Sequence, residues 1–244
     1  MKIIYSNILS QFPNILFGMS TAHSDSNKEK FDFNLSFNVG DDQENVIENR
    51  RQFFEVLGIS ENQIAFTRQQ HTANVVSVVQ SGFNENCDAI HTNRKNIFLS
   101  ISIADCTPVM LYDKNRHAAA GIHAGWRGTA ERIVEKTILE MQRTYGTKTE
   151  NIIAFIGPSA RKCCYEVGTE VAEQFPKKCS AKKENGKYLL DVTQANVIQL
   201  LENGVLNSNI EVHHDCTIHN TKYHSYRRDG NQSGRMFAII GMKE

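Results

Sequence analysis

The chain has 244 residues in which 27 lysines and arginines balance 27 aspartates and glutamates, so its formal net charge is zero. A chain of this length buries a substantial core without disulfide or metal staples. The balanced charge excludes a global field that would attract nucleic acid or an anionic membrane. No stretch approaches the roughly 20 apolar residues of a membrane span, and the first residues lack a signal-peptide pattern. We predict a single, soluble cytoplasmic domain over residues 1–244, with neither nucleic acid nor membrane as a partner.

In chain order, the first clear element is an amphipathic helix in DQENVIENRRQFFEVLG, where Gly58 is typical of the residue after a helix end. Five strands are predicted next, in QIAFTRQ, NVVSVVQ, NIFLSISIA, TPVMLYD and HAAAGIHA. A long amphipathic helix in GTAERIVEKTILEMQRTYG follows and ends at Gly146.

The second half of the chain contains fewer strands. A strand is predicted in NIIAFIGP, helices in YEVGTEVAEQF and DVTQANVIQLLENGV, and late strands in IEVHHDCT and RMFAIIGM. Because several short strands precede the long helix, the order favours an α+β fold over strict βαβ winding. The predicted fold class is α+β, with mixed β-sheets covered by helices.

Six cysteines are distributed along the chain. Disulfide scaffolds are typically short and secreted, which does not describe this chain. The thiols are therefore predicted to be reduced, and any of them is free for chemistry. The six are Cys87, Cys106, Cys163, Cys164, Cys179 and Cys216.

Three residues with metal-binding side chains, His71, Cys106 and His123, follow or end three separate predicted strands. Strand ends can converge at one sheet edge, and two imidazoles with one thiolate would leave the fourth position of a catalytic zinc open. Asp105 is a candidate acceptor that orients one of the imidazoles. The alternatives are packed or turn residues for the trio and a solvated turn carboxylate for Asp105.

Two segments suggest anion binding. HAGWRGT runs from a strand through two glycines into a helix, where free N–H groups and Arg127 suit a phosphate. Near the end of the chain, Tyr226, Arg227 and Arg228 suit stacking on a base or ribose and pairing with an anion. The alternatives are a glycine-rich turn with a solvent-facing arginine, and an exposed basic hairpin.

Several other polar residues are predicted to have structural or surface roles. Glu166 is placed in a first helical turn, where its charge suits the helix dipole, with a carboxylate facing the site as the alternative. His213 and His214 are adjacent and face opposite sides of a strand. Four further histidines are predicted at the surface: His91, His117, His219 and His224.

The motifs together resemble the laccase-domain, or polyphenol-oxidase-type, proteins, a family also regarded as zinc-dependent purine nucleoside phosphorylases and linked to peptidoglycan editing. The resemblance covers nearly the whole chain, and on the family pattern the metal ligands fall on His71, Cys106 and His123. Asn34, which begins NLSFNVGDD, joins the predicted substrate or phosphate contacts. The segments are NLSFNVGDD, ENRR, QQHTANV, DAIHT, ADCTPVMLYD, HAGWRGT, IGPSARKCCYEVG and CTIHNTKYHSYRRDGNQSGRM.

The resemblance implies a fold similar to the toxin-type cysteine hydrolase superfamily. It also implies phosphorolysis of adenosine, inosine and methylthioadenosine to the free base and ribose 1-phosphate, with adenosine deamination as a further activity. The implied cofactor is zinc, with copper as a substitute, and the partner is a small-molecule substrate. One departure stands in STAHSDS, where Ala22 replaces the arginine that family members usually carry, so any anion contact of that arginine is missing.

Other functions use the same residues. Cys106 suits the nucleophile of a cysteine hydrolase or amidase, with His123 or His71 as base. Copper-dependent phenol oxidation is disfavoured, because multicopper centres commonly use His-x-His pairs and none of the nine histidines is so spaced. A non-catalytic binding protein is a further alternative. The predicted catalytic set is His71, Cys106, His123 and Asp105, and the only guesses for a general acid are Asp105 and Glu166.

Overall fold

The computed structural model describes residues 2–23 and 31–244. Its helices are α1 (Gln43–Leu57), α2 (Trp126–Ala130), α3 (Ile133–Tyr145), α4 (Thr169–Ala172), α5 (Val192–Glu202) and α6 (Tyr226–Asp229). None of the helices in these two ranges combines the length and apolar character needed to cross a membrane.

The strands are mostly short, with seven following one another between α1 and α2. They are β1 (Ile3–Ile4), β2 (Ile15–Ser20), β3 (Ile64–Thr67), β4 (Val75–Ser77), β5 (Gly82–Asn84), β6 (Ala89–Thr92), β7 (Phe98–Ile103), β8 (Thr107–Asp113), β9 (Ala118–Ala124), β10 (Ile152–Ile156), β11 (Glu166–Val167), β12 (Ser180–Lys182), β13 (Tyr188–Leu190), β14 (Ile210–Val212) and β15 (Met236–Met242).

Two six-stranded sheets form the centre of the fold. The first sheet has the order β1-β2-β15-β7-β3-β5, and the second has the order β14-β10-β8-β9-β6-β4. Both are mixed, because β3 runs parallel to β7 and β5, and β10 runs parallel to β14, while β8 and β9 are antiparallel. A small third sheet contains β11, β13 and β12. Mixed sheets with helices confirm the predicted α+β class.

The two large sheets share one apolar core. Met19, Leu99 and Ile240 of the first sheet lie in the same buried cluster as Met110 and Phe155 of the second. Since alternate side chains of a strand point to opposite faces, the remaining faces of both sheets need other cover.

Helices cover the outer faces. Phe53 and Leu57 of α1 pack in a cluster with residues of the first sheet. Ile138 and Met141 of α3, with Leu200 of α5, pack against the second sheet. The layers therefore run helix, sheet, sheet, helix.

The long helix predicted after HAGWRGT is two helices. Arg132, between α2 and α3, has a φ of 63°, in the left-handed region, which ends one helix before the next begins. The apolar side chains of α3 pack against the second sheet, whereas the short α2 directly follows the end of β9. The pattern predicted the helical residues correctly and missed the change of direction.

The predicted helix over YEVGTEVAEQF is also wrong at its start. Glu166 and Val167 form β11, paired with Leu189 and Tyr188 of β13, and the short α4 begins only at Thr169. Apolar spacing alone does not distinguish a short strand from a first helical turn. Glu166 is therefore a strand residue.

Two of the four histidines predicted at the surface are buried. His91 lies beneath α3, with its Nδ1 2.8 Å from the hydroxyl of Tyr145, and burial lowers its pKa to about 4. His224 is also buried, and burial lowers its pKa to about 4. His117 and His219 are exposed, as predicted. All six cysteines are free thiols, as predicted.

Candidate metal centre and active site

Three strand ends bring His71, Cys106 and His123 together. In the pairing of β8 with β9, Pro108 lies opposite His123, so Cys106, just before β8, lies beside the end of β9. Strand β6 pairs with β9, and β4 runs parallel to β6, which brings the β3–β4 turn with His71 to the same edge. The ligand atoms of the three lie within 4.8 Å of one another. These three residues are called the cavity triad.

The interruption in SISIADCTPVMLYD is the crossing between the two sheets. Strand β7 belongs to the first sheet and β8 to the second, so Ala104, Asp105 and Cys106 span the passage between them. Asp105 has a φ of 84°, and His71 has a φ of 59°. Left-handed conformations are uncommon outside glycine and concentrate at functional sites. The sharp turns carry the side chains out of the sheets at the convergence point.

The carboxylate that organises the cavity triad is Asp88, which the sequence reasoning missed. Asp88 is fully buried and accepts hydrogen bonds from the backbone N–H groups of His71 (2.9 Å) and Thr72 (2.8 Å), and from the Thr72 hydroxyl (2.8 Å). His123 Nδ1 lies 2.8 Å from Asp88 Oδ1. Burial alone would raise the pKa of Asp88, but His123 and Thr72 lower it to about 2. An ionised Asp88 thus fixes both histidines.

Asp105 does not orient an imidazole, and this prediction is wrong. Its carboxylate accepts hydrogen bonds from the hydroxyls of Thr217 (2.6 Å) and Ser225 (3.0 Å) and from the backbone N–H of Arg227 (2.7 Å). The residue is a neighbour of Cys106 in sequence, but the backbone turns its side chain toward a different segment. Asp105 therefore holds the 217–227 segment against the strand end.

Charge in the metal-free cavity triad is separated between Cys106 and His123. Burial alone would raise the pKa of the Cys106 thiol, but His123 and His71 lower it to about 6. Burial alone would lower the pKa of His123, but Cys106 and Asp88 raise it to about 9. A thiolate beside an imidazolium is the resulting state near neutral pH. A divalent cation would replace the proton on His123 Nε2, because Nδ1 faces Asp88.

Two glycines of HAGWRGT leave the space that the site needs. A Cβ at Gly125 would lie 3.2 Å from Cys106 Sγ and 3.3 Å from His71 Cδ2, inside the cavity triad. A Cβ at Gly128 would lie 2.6 Å from the carbonyl oxygen of Thr72, so α2 approaches the β3–β4 turn only with glycine there. Glycine is required at both positions because a side chain would not fit, and not because the backbone has a positive φ.

A cavity of about 1010 Å³ opens above the cavity triad. Five arginines line it, each with its guanidinium near an aromatic ring. Three of these pairs are Arg127 over Trp126 at 4.4 Å, Arg227 over Tyr165 at 4.9 Å, and Arg235 over Tyr226 at 5.6 Å. Such a set combines fixed cationic donors with flat apolar surface. The charge and shape of this lining are therefore complementary to a ligand that has an anionic group beside a planar one.

Aromatic rings line another part of the same cavity. Phe66 and Phe83 stack with their ring centroids 5.1 Å apart, and Arg68 lies 5.3 Å from the Phe83 centroid. Arg50 is buried and lies 4.3 Å from the Phe37 centroid. The cavity therefore offers apolar faces as well as charge.

Among the predicted substrate contacts, Arg127, Tyr226 and Arg227 line the cavity. Arg228 does not, because its guanidinium donates to the carbonyl oxygens of Thr217, Ile218 and Tyr223 and to Asp229. The structure therefore places the Arg228 guanidinium within its own loop, although the sequence predicted a substrate contact.

Asn34 also lies outside the cavity lining. Its side chain donates to the carbonyl oxygen of Ser36 and to Asp41 and accepts from the N–H groups of Ser36 and Arg235. It therefore holds two lining residues in place rather than contacting a ligand. Ala22 is buried away from the cavity, and residues 24–30 of the same segment lie outside the described residues.

Glu166 is not a general acid. Lys183 and Lys187 both pair with its carboxylate and lower its pKa to about 2, and it does not line the cavity. The sequence reasoning also missed Tyr165 and Arg235, which do line it. Both stand in segments already singled out as motifs, so their place in those motifs was the available signal.

Comparisons with known proteins place the chain in a family. A family model described as multi-copper polyphenol oxidoreductase laccase matches residues 17–243. A purine nucleoside phosphorylase of Bacteroides thetaiotaomicron is 34% identical over 251 residues, which cover 95% of this chain and 93% of that protein. An adenosine deaminase named RL5, from an unknown prokaryotic organism, is 34% identical and covers 86% of this chain and 87% of its own.

A solved structure has the same fold. YlmD from Geobacillus stearothermophilus superposes with a TM-score of 0.91 at 29% sequence identity, covering 98% of this chain and 94% of its own. Within residues 2–23 and 31–244, the possible metal ligands form two groups, the cavity triad with two imidazoles and a second group with one. Neither group has the many imidazoles of a multicopper centre.

Proposed function

This chain belongs to the multi-copper polyphenol oxidoreductase laccase family, and we propose that within it the chain is a zinc-dependent enzyme of purine nucleosides. It would cleave adenosine, inosine and methylthioadenosine with phosphate to the base and ribose 1-phosphate, and also deaminate adenosine. The observation that carries the proposal is the cavity triad, backed by Asp88, in a cavity lined by arginines and aromatic rings. The printed names of two relatives, a purine nucleoside phosphorylase and an adenosine deaminase, support the substrate class.

The donor chemistry of the cavity triad fits a zinc ion. Two imidazole nitrogens and one thiolate supply three ligands of the types that catalytic zinc takes, and Gly125 leaves space among them. Copper is the expected substitute, because it binds such donors more tightly. A bound ion would supply Lewis-acid polarisation of phosphate or a water of lowered pKa.

The residues around Cys106 would bind the anion. Arg127, Arg227 and Arg235 line the cavity and supply fixed forks of donors for phosphate oxygens. Burial raises the pKa of the Tyr165 hydroxyl to about 12, with Cys106 acting in the same direction. Tyr165 thus stays protonated and offers a hydrogen-bond donor. The exposed ring of Tyr226 and the Phe66–Phe83 pair offer faces on which a purine stacks.

The test uses zinc-loaded protein with adenosine, with and without phosphate, and resolves the products by chromatography. Adenine with ribose 1-phosphate supports phosphorolysis, and inosine supports deamination. Cys106→Ala and a chelator should each abolish turnover, whereas Cys179→Ala, which alters a buried thiol outside the cavity lining, should retain it. The proposal is contradicted if the wild-type protein forms no more product than Cys106→Ala does.

A metal-free cysteine hydrolase is the second candidate, and one observation favours it. Cys106, His123 and Asp88 form a chain of thiolate, imidazolium and carboxylate, which is the arrangement of an activated cysteine nucleophile. The predicted likeness to toxin-type cysteine hydrolases points the same way, with an amide such as that of peptidoglycan as substrate. Amide cleavage that survives complete zinc removal and is lost in Cys106→Ala would select this candidate over the first.

The remaining predictions are kept as proposals. We retain one domain over residues 1–244 and a cytoplasmic location. Phenol oxidation would arise only from copper in the cavity triad, and activity proportional to bound copper would identify it. The effect of the missing arginine on phosphate binding is measured by comparing the phosphate KM of the wild type with that of Ala22→Arg.

A further inference from the structure

A second group of metal-binding side chains lies outside the cavity lining. Cys163, Cys164, Cys216 and His219 place their ligand atoms within 4.8 Å of one another. Cys163 and His219 are exposed, Cys164 is partly buried, and Cys216 is buried. These four residues are called the surface quartet. The proposed reaction uses none of them.

Three of the six donor–donor distances within the surface quartet match a tetrahedral zinc site. With zinc bonds of about 2.3 Å to sulfur and about 2.05 Å to nitrogen, tetrahedral geometry places two sulfurs about 3.8 Å apart and sulfur and nitrogen about 3.6 Å apart. Cys163 Sγ lies 3.4 Å from Cys164 Sγ, and His219 Nδ1 lies 3.7 Å from the first and 3.4 Å from the second. These three donors therefore have nearly the required spacing, and Cys216 Sγ lies within 4.8 Å of each of them.

The backbone around Cys216 supports a thiolate ligand. Cys216 and His219 are separated by two residues, a spacing that lets one loop supply two ligands to one ion. The backbone N–H of Arg161 donates to Cys216 Sγ at 3.4 Å. The turn over residues 162–164 presents the neighbouring thiols of Cys163 and Cys164 to the same point.

We propose that the surface quartet binds one zinc ion as a closed, structural site. Three thiolates and one imidazole complete four-coordination, which is the arrangement of structural zinc and leaves no position for water or substrate. Soft sulfur donors in a tetrahedral set also select zinc over magnesium, calcium or manganese.

The ion would fasten two segments that form the wall of the cavity. Tyr165, which follows Cys164, lines the cavity, and Thr217, which follows Cys216, donates to Asp105 at 2.6 Å. The segments already meet where the N–H of Thr217 donates to the carbonyl oxygen of Ser159 at 3.1 Å. Zinc in the surface quartet would hold this junction while remaining outside the reaction.

The test measures zinc per chain in reduced protein purified from zinc-supplemented cells. Cys163→Ser/His219→Ala removes two exposed ligands, and it should hold one zinc per chain fewer than the wild type. His214→Ala, an exposed histidine of the same segment outside the surface quartet, should match the wild type. Cys106→Ala, loaded with cobalt, should keep the charge-transfer absorption of a three-thiolate site, and the absorption should disappear when the double change is added.

The result does not depend on nucleoside turnover, so failure of the proposed function leaves it standing. The proposal is overturned if the double variant holds as much zinc as the wild type. It is also overturned if cobalt in Cys106→Ala lacks thiolate absorption, or if peptide mapping of the native protein finds a disulfide from Cys216 to Cys163 or Cys164. Far-UV circular dichroism of each variant confirms that the chain is folded.

Discussion

The cavity triad and the surface quartet use the same two kinds of side chain and are built in opposite ways. The cavity triad takes its residues from the β3–β4 turn, the β7–β8 crossing and the end of β9, and it is fixed by the buried carboxylate of Asp88. The surface quartet takes its residues in pairs from two loops, without a sheet to position them. Three donors leave a coordination position open at a cavity, and four donors close it at the surface. On the two proposals made above, the number of donors and the access to the cavity, rather than the residue types, would separate a chemical role from a structural one.

The largest difference between the two sites is expected when Asp88 is changed. Asp88→Asn removes the charge that orients His123 and weakens the acceptor for the His71 and Thr72 N–H groups. Loss of such a partner lowers metal affinity about 10–100-fold, and we expect about 100-fold for the cavity triad, measured by competition with a chromophoric chelator. The surface quartet should keep its zinc. Asp113→Asn, a buried aspartate of β8 remote from the site, is the control, and equal loss in both variants would contradict the role of Asp88.

A methyl group at Gly125 should affect only the cavity triad. The added Cβ of Gly125→Ala would crowd Cys106 Sγ and His71 Cδ2. Overpacking costs about 1–3 kcal/mol, so we expect cavity-triad zinc affinity to fall about tenfold in the same competition assay. Gly186→Ala adds a methyl group that meets no atom within 4 Å. Its φ of 81° strains the substituted backbone, but the residue is outside the cavity lining, so the affinity of the cavity triad for zinc should be unchanged. If Gly125→Ala binds zinc as tightly as the wild type, the added methyl group does not crowd the cavity triad and the prediction is wrong.

In metal-free protein the less exposed thiol should be the more reactive one, so the reactivity of the two sites should not follow their exposure. Cys106 is partly buried, but its histidine neighbours lower its pKa to about 6. Cys163 is exposed, but burial of its sulfur and hydrogen bonds to Cys164 and Cys216 raise its pKa to about 12. Since the thiolate is the nucleophile, Cys106 alkylation by iodoacetamide should rise with pH through about 6 and level off above it.

At pH 7.5 we expect Cys106 to react several-fold faster than Cys163, as measured by peptide mass spectrometry. The difference is smaller than the thiolate fractions alone would give, because nucleophilicity falls with pKa and Cys106 is less accessible. Faster alkylation of Cys163 would reverse the assignment of the reactive thiol. His123→Asn should shift the Cys106 profile to higher pH, because it removes the imidazolium that stabilises the thiolate.

The smallest effect is expected at the loop between the two sites. Arg228→Ala removes donors to the carbonyl oxygens of Thr217 and Ile218 beside Cys216. A loss of about 1 kcal/mol corresponds to a fall in Tm of about 2–4 °C, measured calorimetrically. Arg227→Ala should instead raise substrate KM with little change in Tm, because Arg227 lines the cavity. The assignment fails if the two variants exchange these effects.

The cavity triad was predictable from sequence because each member ends or follows a predictable strand. Asp88 was missed because its partners are 16–35 residues away and meet it through the β4–β6 and β6–β9 pairings. Asp105 was misjudged because adjacency in sequence says nothing about direction when the residue has a positive φ. Local signals thus identified ligands, and long-range pairing determined what orients them.

The fold was predictable where a strand or helix is long and apolar, as in β8, β9 and α5. It was not predictable at residues 126–145 and 165–175, because apolar spacing does not record a change of chain direction. The surface quartet was missed because its pairs are 52 or more residues apart in loops without periodicity. These failures concern junctions rather than elements.

The position of β15 has a consequence for how the protein is made. Strand β15 lies in the middle of the first sheet, between β2 and β7, and pairs with both. A ribosome delivers β15 after every other described strand, so β2 and β7 emerge before the strand that pairs with both of them. Arg235, Tyr226 and the rest of that cavity wall arrive in the same late stretch. The part of the cavity wall that contains Tyr226 and Arg235 is therefore delivered after all three residues of the cavity triad.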